Sequence, residues 1–529
     1  MRLFWLILLP ILLIAAVTLA MQALGIVTWD APAHLYKIAL VRRYRAFFWD
    51  NNWYGGAYQV ASYGFIFYWL AQFVSYKLLV VVSAGLMPFF FYLYLRRSHG
   101  SASYWPAVVL AGVLAIYLIN GQDPFVLAMS LMMLGMVLLV HRQPLAGAVF
   151  TGIAIFTNPL AFVTGAVFLI AEFISRRDER RRFIRFAVYL LPIVVVRILL
   201  GVVFAEQSTY IYPYVEVIHF AGFGMLGFFL ARMSVDPARQ AKQVFFLTYA
   251  TVACLMAFVP NNPVGSNIGR TFFLFGLPLV LDIRKVYAPK WITVPLIVGV
   301  AFGQLTPPVL HYFHMAEIQS TKPAFFTPAL AFANEHYDPN FRFHIVALDT
   351  HWEAYYFSMD GYAITRGWYR QADALHNKVL TGDFNAAQYV AWLKSMGVKY
   401  VFLPHAPLDW SGPKEASILA SSLQFVEVYS SPDWTIYRLR GAQPMAVSLG
   451  GTRDANVVYM DHESLYLKVP AAGRYLIKVS YSPFWEIIGG VGTLSAGPDG
   501  FLVLQATERG LYGLRVNVTL AESLHQLAL

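Results

Sequence analysis

Apolar residues enter this chain in long runs that carry no polar face. Residues 4–26, 74–95, 104–120, 124–140, 145–158, 159–174, 184–204, 218–232, 241–259, 270–283 and 291–308 each read this way. A helix that is apolar all round must be buried or lie in lipid, so these runs predict a membrane domain of about eleven spans. From His311 onward the runs shorten and begin to alternate. Phe384 to Met396 predicts a helix, and Val398 to Leu403 and Trp434 to Arg438 predict strands, so 311–440 reads as an α/β unit. Val447 to Leu449, Tyr466 to Val469, Gly473 to Tyr481, Phe501 to Gln505 and Gly513 to Leu520 alternate between turn residues. That pattern predicts a β-sandwich over 441–529. The expected fold is a polytopic all-α membrane domain over 1–310, with a first exterior loop at 27–73, followed by exterior α/β and β-sandwich domains.

Charge gives the helices a direction. Residues 1–310 carry 23 Lys and Arg against 10 Asp and Glu, whereas 311–529 carry 16 against 19. The net charge of +10 therefore belongs to the membrane half. It points to anionic lipid and cytoplasmic-loop bias rather than to nucleic acid. Arg96-Arg97, Arg142, Arg176 to Arg185, Arg232 to Lys242 and Arg284 to Lys290 fall at the same end of successive spans. One helix over 145–174 would carry Arg176 to Arg182 to the wrong side, whereas a hairpin bent at Thr157-Asn158-Pro159 keeps them together. Its arms are shorter than the ~20 residues of a full span and suit half-helices buried in the bundle. With an uncleaved first helix and the N-terminus cytoplasmic, an odd count puts the tail outside, in a multi-pass plasma-membrane protein.

The first loop breaks the charge rule. It holds Lys37, Arg42, Arg43 and Arg45, with Lys77 just beyond it, against Asp30 and Asp50, yet it is expected outside. Basic side chains there suit a lipid phosphate, or rest on headgroups. Asp30, in Thr28-Trp-Asp-Ala-Pro-Ala-His34, stands where it would cap the next helix or act as a general base at the membrane face. His34 and Lys37 follow at helical spacing, as an acid or phosphate ligand beside it. Asp123 precedes Pro124 at the next outward turn, either as a helix cap or as a second carboxylate near Asp30. Asp50 to Gly56, including Trp53 and Tyr54, with Tyr58, Gln59 and Tyr63 beyond, is a polar aromatic stretch suited to substrate or to interface anchoring. Arg197 interrupts an apolar run, where charge is paired, functional or snorkelled, and Arg270 opens a span as a phosphate contact.

Other chemistries are without support. Walker, HExxH and GxSxG patterns do not occur, and lone Cys254 provides neither a disulfide framework nor a thiolate site.

This layout resembles the membrane glycosyltransferases of the GT-C superfamily. The resemblance is carried by the multi-span bundle, the first-loop Asp30, a later outward Asp123, and Thr157-Asn158-Pro159 in place of a Thr-His-Pro hairpin. The chain is also similar to large actinobacterial membrane proteins with an Asp-Ala-Pro first loop and an exterior tail. There the tail carries His-Trp-Glu-Ala, Arg-Gly-Trp and Tyr-Ser-Pro-Phe-Trp segments, matching His351 to Ala354, Arg366 to Trp368 and Tyr481 to Trp485 here. The resemblance implies a polyprenyl-phosphate sugar donor, an envelope glycan or glycolipid acceptor, and Asp30 as base. A single first-loop Asp stands where many members keep an acidic pair, so the resemblance implies no certain cofactor and leaves only room for a divalent cation. A lipid-linked sugar flippase or a non-catalytic envelope-assembly protein would use the same groove and loop.

Overall fold

A computed structural model describes residues 2–45, 48–57, 63–100, 103–204, 210–259, 261–262, 264–283, 285–451 and 453–528. Tyr58 and Gln59 lie outside the described residues. Two compact units emerge. The first comprises Met1–Asp30, Tyr63–Gly201 and Thr209–Glu317, and the second Ala31–Ser62, Val202–Ser208 and Ile318–Leu529.

The first unit is helical. Among the described residues, six helices are long and apolar enough to cross a membrane: Phe4–Ala23, Tyr76–Ser98, Asp123–Val140, Arg177–Val203, Tyr214–Arg232 and Lys290–Glu317. The chain is accordingly a multi-pass membrane protein. Trp105–Asn120, Pro144–Thr157 and Leu160–Ser175 are apolar but shorter, and Arg239–Met256 and Arg270–Asp282 complete the series. The sequence expectation placed the last span at 291–308, but that helix runs on to Glu317 through Pro307 and Pro308, so His311 is still helical.

The hairpin at 144–175 forms as its sequence dictates. Asn158 adopts an extended backbone (φ −158°, ψ 112°), the conformation that steric conflict with Pro159 favours. Its first arm lies tight against Asp123–Val140, because Gly135 and Gly147 face each other across the crossing. A Cβ on Gly147 would stand 2.9 Å from the Gly135 carbonyl oxygen.

Ion pairs mark the basic end of this unit. Lys242 Nζ lies between Asp236 (2.6 Å) and Asp282 (2.8 Å), and Asp282 also bonds His99 at 2.8 Å. Tyr94 donates to Glu172 at 2.8 Å, and Glu172 pairs with Arg176, whose guanidinium also reaches the Arg97 and Ser98 carbonyls. These contacts gather the loops after Tyr76–Ser98, Leu160–Ser175, Tyr214–Arg232 and Arg270–Asp282 at one end.

Among its described residues the second unit contains three four-stranded sheets. In the α/β part, Arg342–Ile345 pairs in parallel with Val398–Pro404, which continues antiparallel to Trp434–Leu439 and Phe425–Ser430. The predicted helix there is Ala386–Ser395, started by a reciprocal cap between Asn385 and Gln388. Two antiparallel sheets follow. One orders Gly492–Ala496, Phe501–Ala506, Gly473–Ser480 and Ala446–Ser448, the other Trp485–Gly489, Gly510–Val516, Ser464–Val469 and Asn456–Met460. Their alternate residues, among them Leu465, Leu467, Ile477, Leu502 and Leu514, share one buried core.

The division differs from the sequence expectation at the first loop, of which Ala31–Ser62 joins the tail instead of the helices. Buried polar bonds explain this. Asp50 accepts from Tyr36 at 2.9 Å and from the Asn52 amide at 3.1 Å, and bonds His462 at 2.8 Å. Trp53 donates to Ser358 at 3.0 Å, and Tyr54 exchanges hydrogen bonds with the backbone of Tyr369.

Candidate functional site

The candidate site lies within the helical unit, at the end opposite the basic clusters. Leu118–Asn120 closes the short helix from Trp105 with a 3₁₀ turn, and Gly121 follows at φ 69°. Thr28 to Asp30 lie directly against this turn. Trp29 N–H donates to the Ile119 carbonyl at 2.9 Å and Asp30 N–H to that of Asn120 at 3.3 Å. Only glycine fits at 121, because a Cβ would stand 2.6 Å from Thr28 Oγ1 and 2.9 Å from the Asp30 nitrogen. Trp29 stacks on His311 with ring centres 5.2 Å apart, and His311 Nδ1 bonds Asn120 Oδ1 at 2.9 Å. The exit of the first helix is thereby pinned to the turn that carries Asp123.

Asp123 is buried and opens Asp123–Val140 with Pro124 behind it, within electrostatic reach of Asp30. Arg270, first residue of Arg270–Asp282, places its guanidinium 4.7 Å from the ring centre of Phe125, and its charge acts on Asp30. Tyr63 takes a hydrogen bond from Asn158 Nδ2 at 3.0 Å and interacts with Arg270. Asn158 Oδ1 accepts from Leu160 N–H at 3.0 Å, so one side chain both fixes the entry to the second arm of the hairpin and holds Tyr63.

Desolvation dominates the electrostatics. Asp30 keeps part of its surface exposed, yet burial lifts its carboxyl to about 7 even though Arg270 pulls the other way. Burial pushes the Tyr63 hydroxyl to about 12, with Asp30 adding to the rise and Arg270 opposing it. The arrangement is a carboxylate able to exchange a proton near neutrality, a second carboxylate, and a guanidinium suited to an oxyanion.

The other sequence candidates fall elsewhere. His34 and Lys37 belong to the second unit, where both are buried and Lys37 Nζ sits 5.3 Å from the Tyr369 ring centre. Asp50, Trp53 and Tyr54 are almost wholly buried in that unit, so their polar groups are used in packing rather than offered to a substrate. Arg42 and Arg43 are exposed on a π-helical turn. Arg197 is half-buried on a largely uncovered helix and extends along it to Gly201, as a snorkelling side chain does. In the tail, Arg366 is the hub of a buried cluster with Asp373 (2.8 Å) and Asp409 (3.2 Å).

The sequence reading placed Tyr63 in a polar aromatic stretch, Asn158 at the hairpin bend and Asp123 at an outward turn, but not the bonds that join Asn158 to Tyr63 and Asn120 to Asp30. The signals available were Asn before Pro at the bend and a Gly two residues before Asp123. Among the described residues no group of three or more His, Cys, Asp or Glu side chains is arranged to hold a metal ion.

No protein-family model and no curated protein matches the chain. Among solved structures, it is similar to the archaeal oligosaccharyltransferase AglB from Archaeoglobus fulgidus in complex with an inhibitory peptide and a dolichol-phosphate. That match has 11% identity and a TM-score of 0.43, over 76% of this chain and 69% of that one. The apo Archaeoglobus fulgidus oligosaccharyltransferase matches at 12% identity and TM-score 0.42, over 76% and 70%. A likeness of this size carries no argument about chemistry.

Proposed function

We propose that the chain is a GT-C-type glycosyltransferase that moves a sugar from a polyprenyl-phosphate donor to an envelope glycan or glycolipid on the exterior face. The observation that carries this reading is Asp30, a carboxylate raised to about 7 beside Arg270 and Asp123. A base with that pKa is about half ionised at neutral pH and matched to a hydroxyl proton. Asp30 takes the proton of the acceptor hydroxyl as its oxygen bonds the anomeric carbon. The bond from that carbon to the phosphate oxygen breaks, and the phosphate leaves with the electron pair. Arg270 holds the departing oxyanion by a charge-assisted fork, and Asp123 orients the acceptor. Arg42 and Arg43 rest on lipid phosphate.

Sidedness follows from charge. The Arg and Lys clusters at the opposite end suit the cytoplasm, which leaves the Asp30 end outside.

Purified protein in nanodiscs, offered a panel of polyprenyl-phosphate sugars with envelope glycan acceptors, tests the reading. Sugar appearing on an acceptor supports it. Donor that binds and crosses the bilayer without transfer overturns it in favour of a transporter. Donor that binds and does neither points to an assembly partner.

A further inference from the structure

A groove of about 810 Å³ opens in the helical unit between the helices Arg2–Ala23, Tyr76–Ser98 and Trp105–Tyr117. Its walls are apolar, with Leu9, Leu13 and Val108 each about half exposed to the surroundings (54%, 41% and 40%). One end is different. There Arg96 joins Trp5 and Tyr104, at the end of the unit where the basic clusters gather.

Arg96 stands apart from its neighbours in charge. Arg97 pairs with Glu179 at 3.8 Å, and Arg176 is engaged by Glu172 and two backbone carbonyls. Arg96 is exposed and has no ion-pair partner among the described residues. An apolar trough in a membrane-spanning unit fills with hydrocarbon, and a cation at its mouth selects a hydrocarbon with an anionic head. Trp5 and Tyr104 sit where amphipathic rings mark a headgroup boundary. From Trp5 to Leu13 the trough follows the first helix for about 12 Å, part of one acyl chain and short for a long polyprenyl tail.

We propose that this groove binds an anionic glycerophospholipid of the leaflet at the basic end, with its phosphate on Arg96 and one acyl chain along Leu9, Leu13 and Val108. The site lies at the other end of the helical unit from Asp30 and holds whatever reaction that end performs.

The test uses the full chain in detergent, with native mass spectrometry and thermal shift against dioleoyl phosphatidylglycerol, dioleoyl phosphatidylcholine, a polyprenyl phosphate and inorganic phosphate. Wild type is expected to retain one phosphatidylglycerol in preference to phosphatidylcholine, with no response to inorganic phosphate. Arg96→Gln should weaken that binding about fivefold, and Leu9→Trp, which fills an exposed wall without touching the fold's interior, should weaken it similarly. Arg142→Gln, another exposed cation at the same end, should leave it unchanged. Equal binding by wild type, Arg96→Gln and Leu9→Trp overturns the proposal, as does tighter retention of polyprenyl phosphate than of phosphatidylglycerol.

Discussion

Asp30 is tied through its backbone N–H to the carbonyl of Asn120, at 3.3 Å, and the bond is possible because Gly121 lets the two strands of chain approach. The proposed base therefore takes its position from a turn ninety residues further along the chain, the same turn that presents Asp123. Gly121→Ala places a Cβ against Thr28 and Asp30 in a left-handed backbone. It should cost about 1–2 kcal/mol of stability and lower sugar transfer at least tenfold while donor binding persists. Detergent melting curves beside a transfer assay check both.

The pH dependence follows from the sign of the Asp30 shift. Its carboxyl titrates near 7 when folded and near 3.8 when unfolded, so the folded state keeps the proton longer. The stability this contributes is fully present below about pH 4, falls as pH rises, and is gone above about pH 7. Activity moves the opposite way, because the base must be ionised. Transfer should rise through pH 7 and level off above it, and Asp30→Asn should melt with less pH dependence over the same interval.

Arg270 should act on the donor rather than on the acceptor. Arg270→Gln is expected to raise the KM for a polyprenyl-phosphate sugar by roughly tenfold to a hundredfold. Arg270→Lys should recover only part of this, since a lysine lacks the planar fork. Steady-state kinetics with donor and acceptor varied separately distinguish the two substrates.

Asp50 should matter for folding instead. Asp50→Ala leaves Tyr36 and His462 buried with a lost partner and should destabilise the second unit by about 3 kcal/mol. Limited proteolysis of the variant should cut within the tail at lower protease concentration than wild type requires.

Lys242 makes the same argument at the basic end. Lys242→Met leaves Asp236 and Asp282 side by side without their shared cation and should cost about 3–5 kcal/mol. The yield of monodisperse protein on size exclusion reports it.

Where the fold was legible in the sequence, a single local rule was enough. Apolar runs located the helices, Asn before Pro located the hairpin bend, and period-two alternation located part of the strands between Val398 and Val516 but not Phe425–Ser430, Asn456–Met460, Trp485–Gly489 or Gly492–Ala496. Features set by partners distant in sequence were hidden. Trp53 and Tyr54 read as membrane-interface aromatics because nothing nearby discloses Ser358 and Tyr369, their bonding partners some 300 residues on. The last apolar run stops at 308, whereas the helix from Lys290 carries Pro307 and Pro308 within it and continues to Glu317. Asp30, Asp123 and Arg270 were each visible as charges at span ends. An approach of Asp123 to Asp30 was one of two readings the sequence left open, whereas that of Arg270 to Asp30 was hidden, since it depends on the direction of every intervening helix.

The central claim is that Asp30 removes the acceptor proton. Single-turnover sugar transfer by wild type and Asp30→Asn in nanodiscs, with donor binding measured in the same preparations, tests it most directly. The account predicts equal donor binding and a transfer rate lower by roughly 10²–10⁴ in the variant. Equal rates in the two proteins, with both folded and donor-bound, would contradict it.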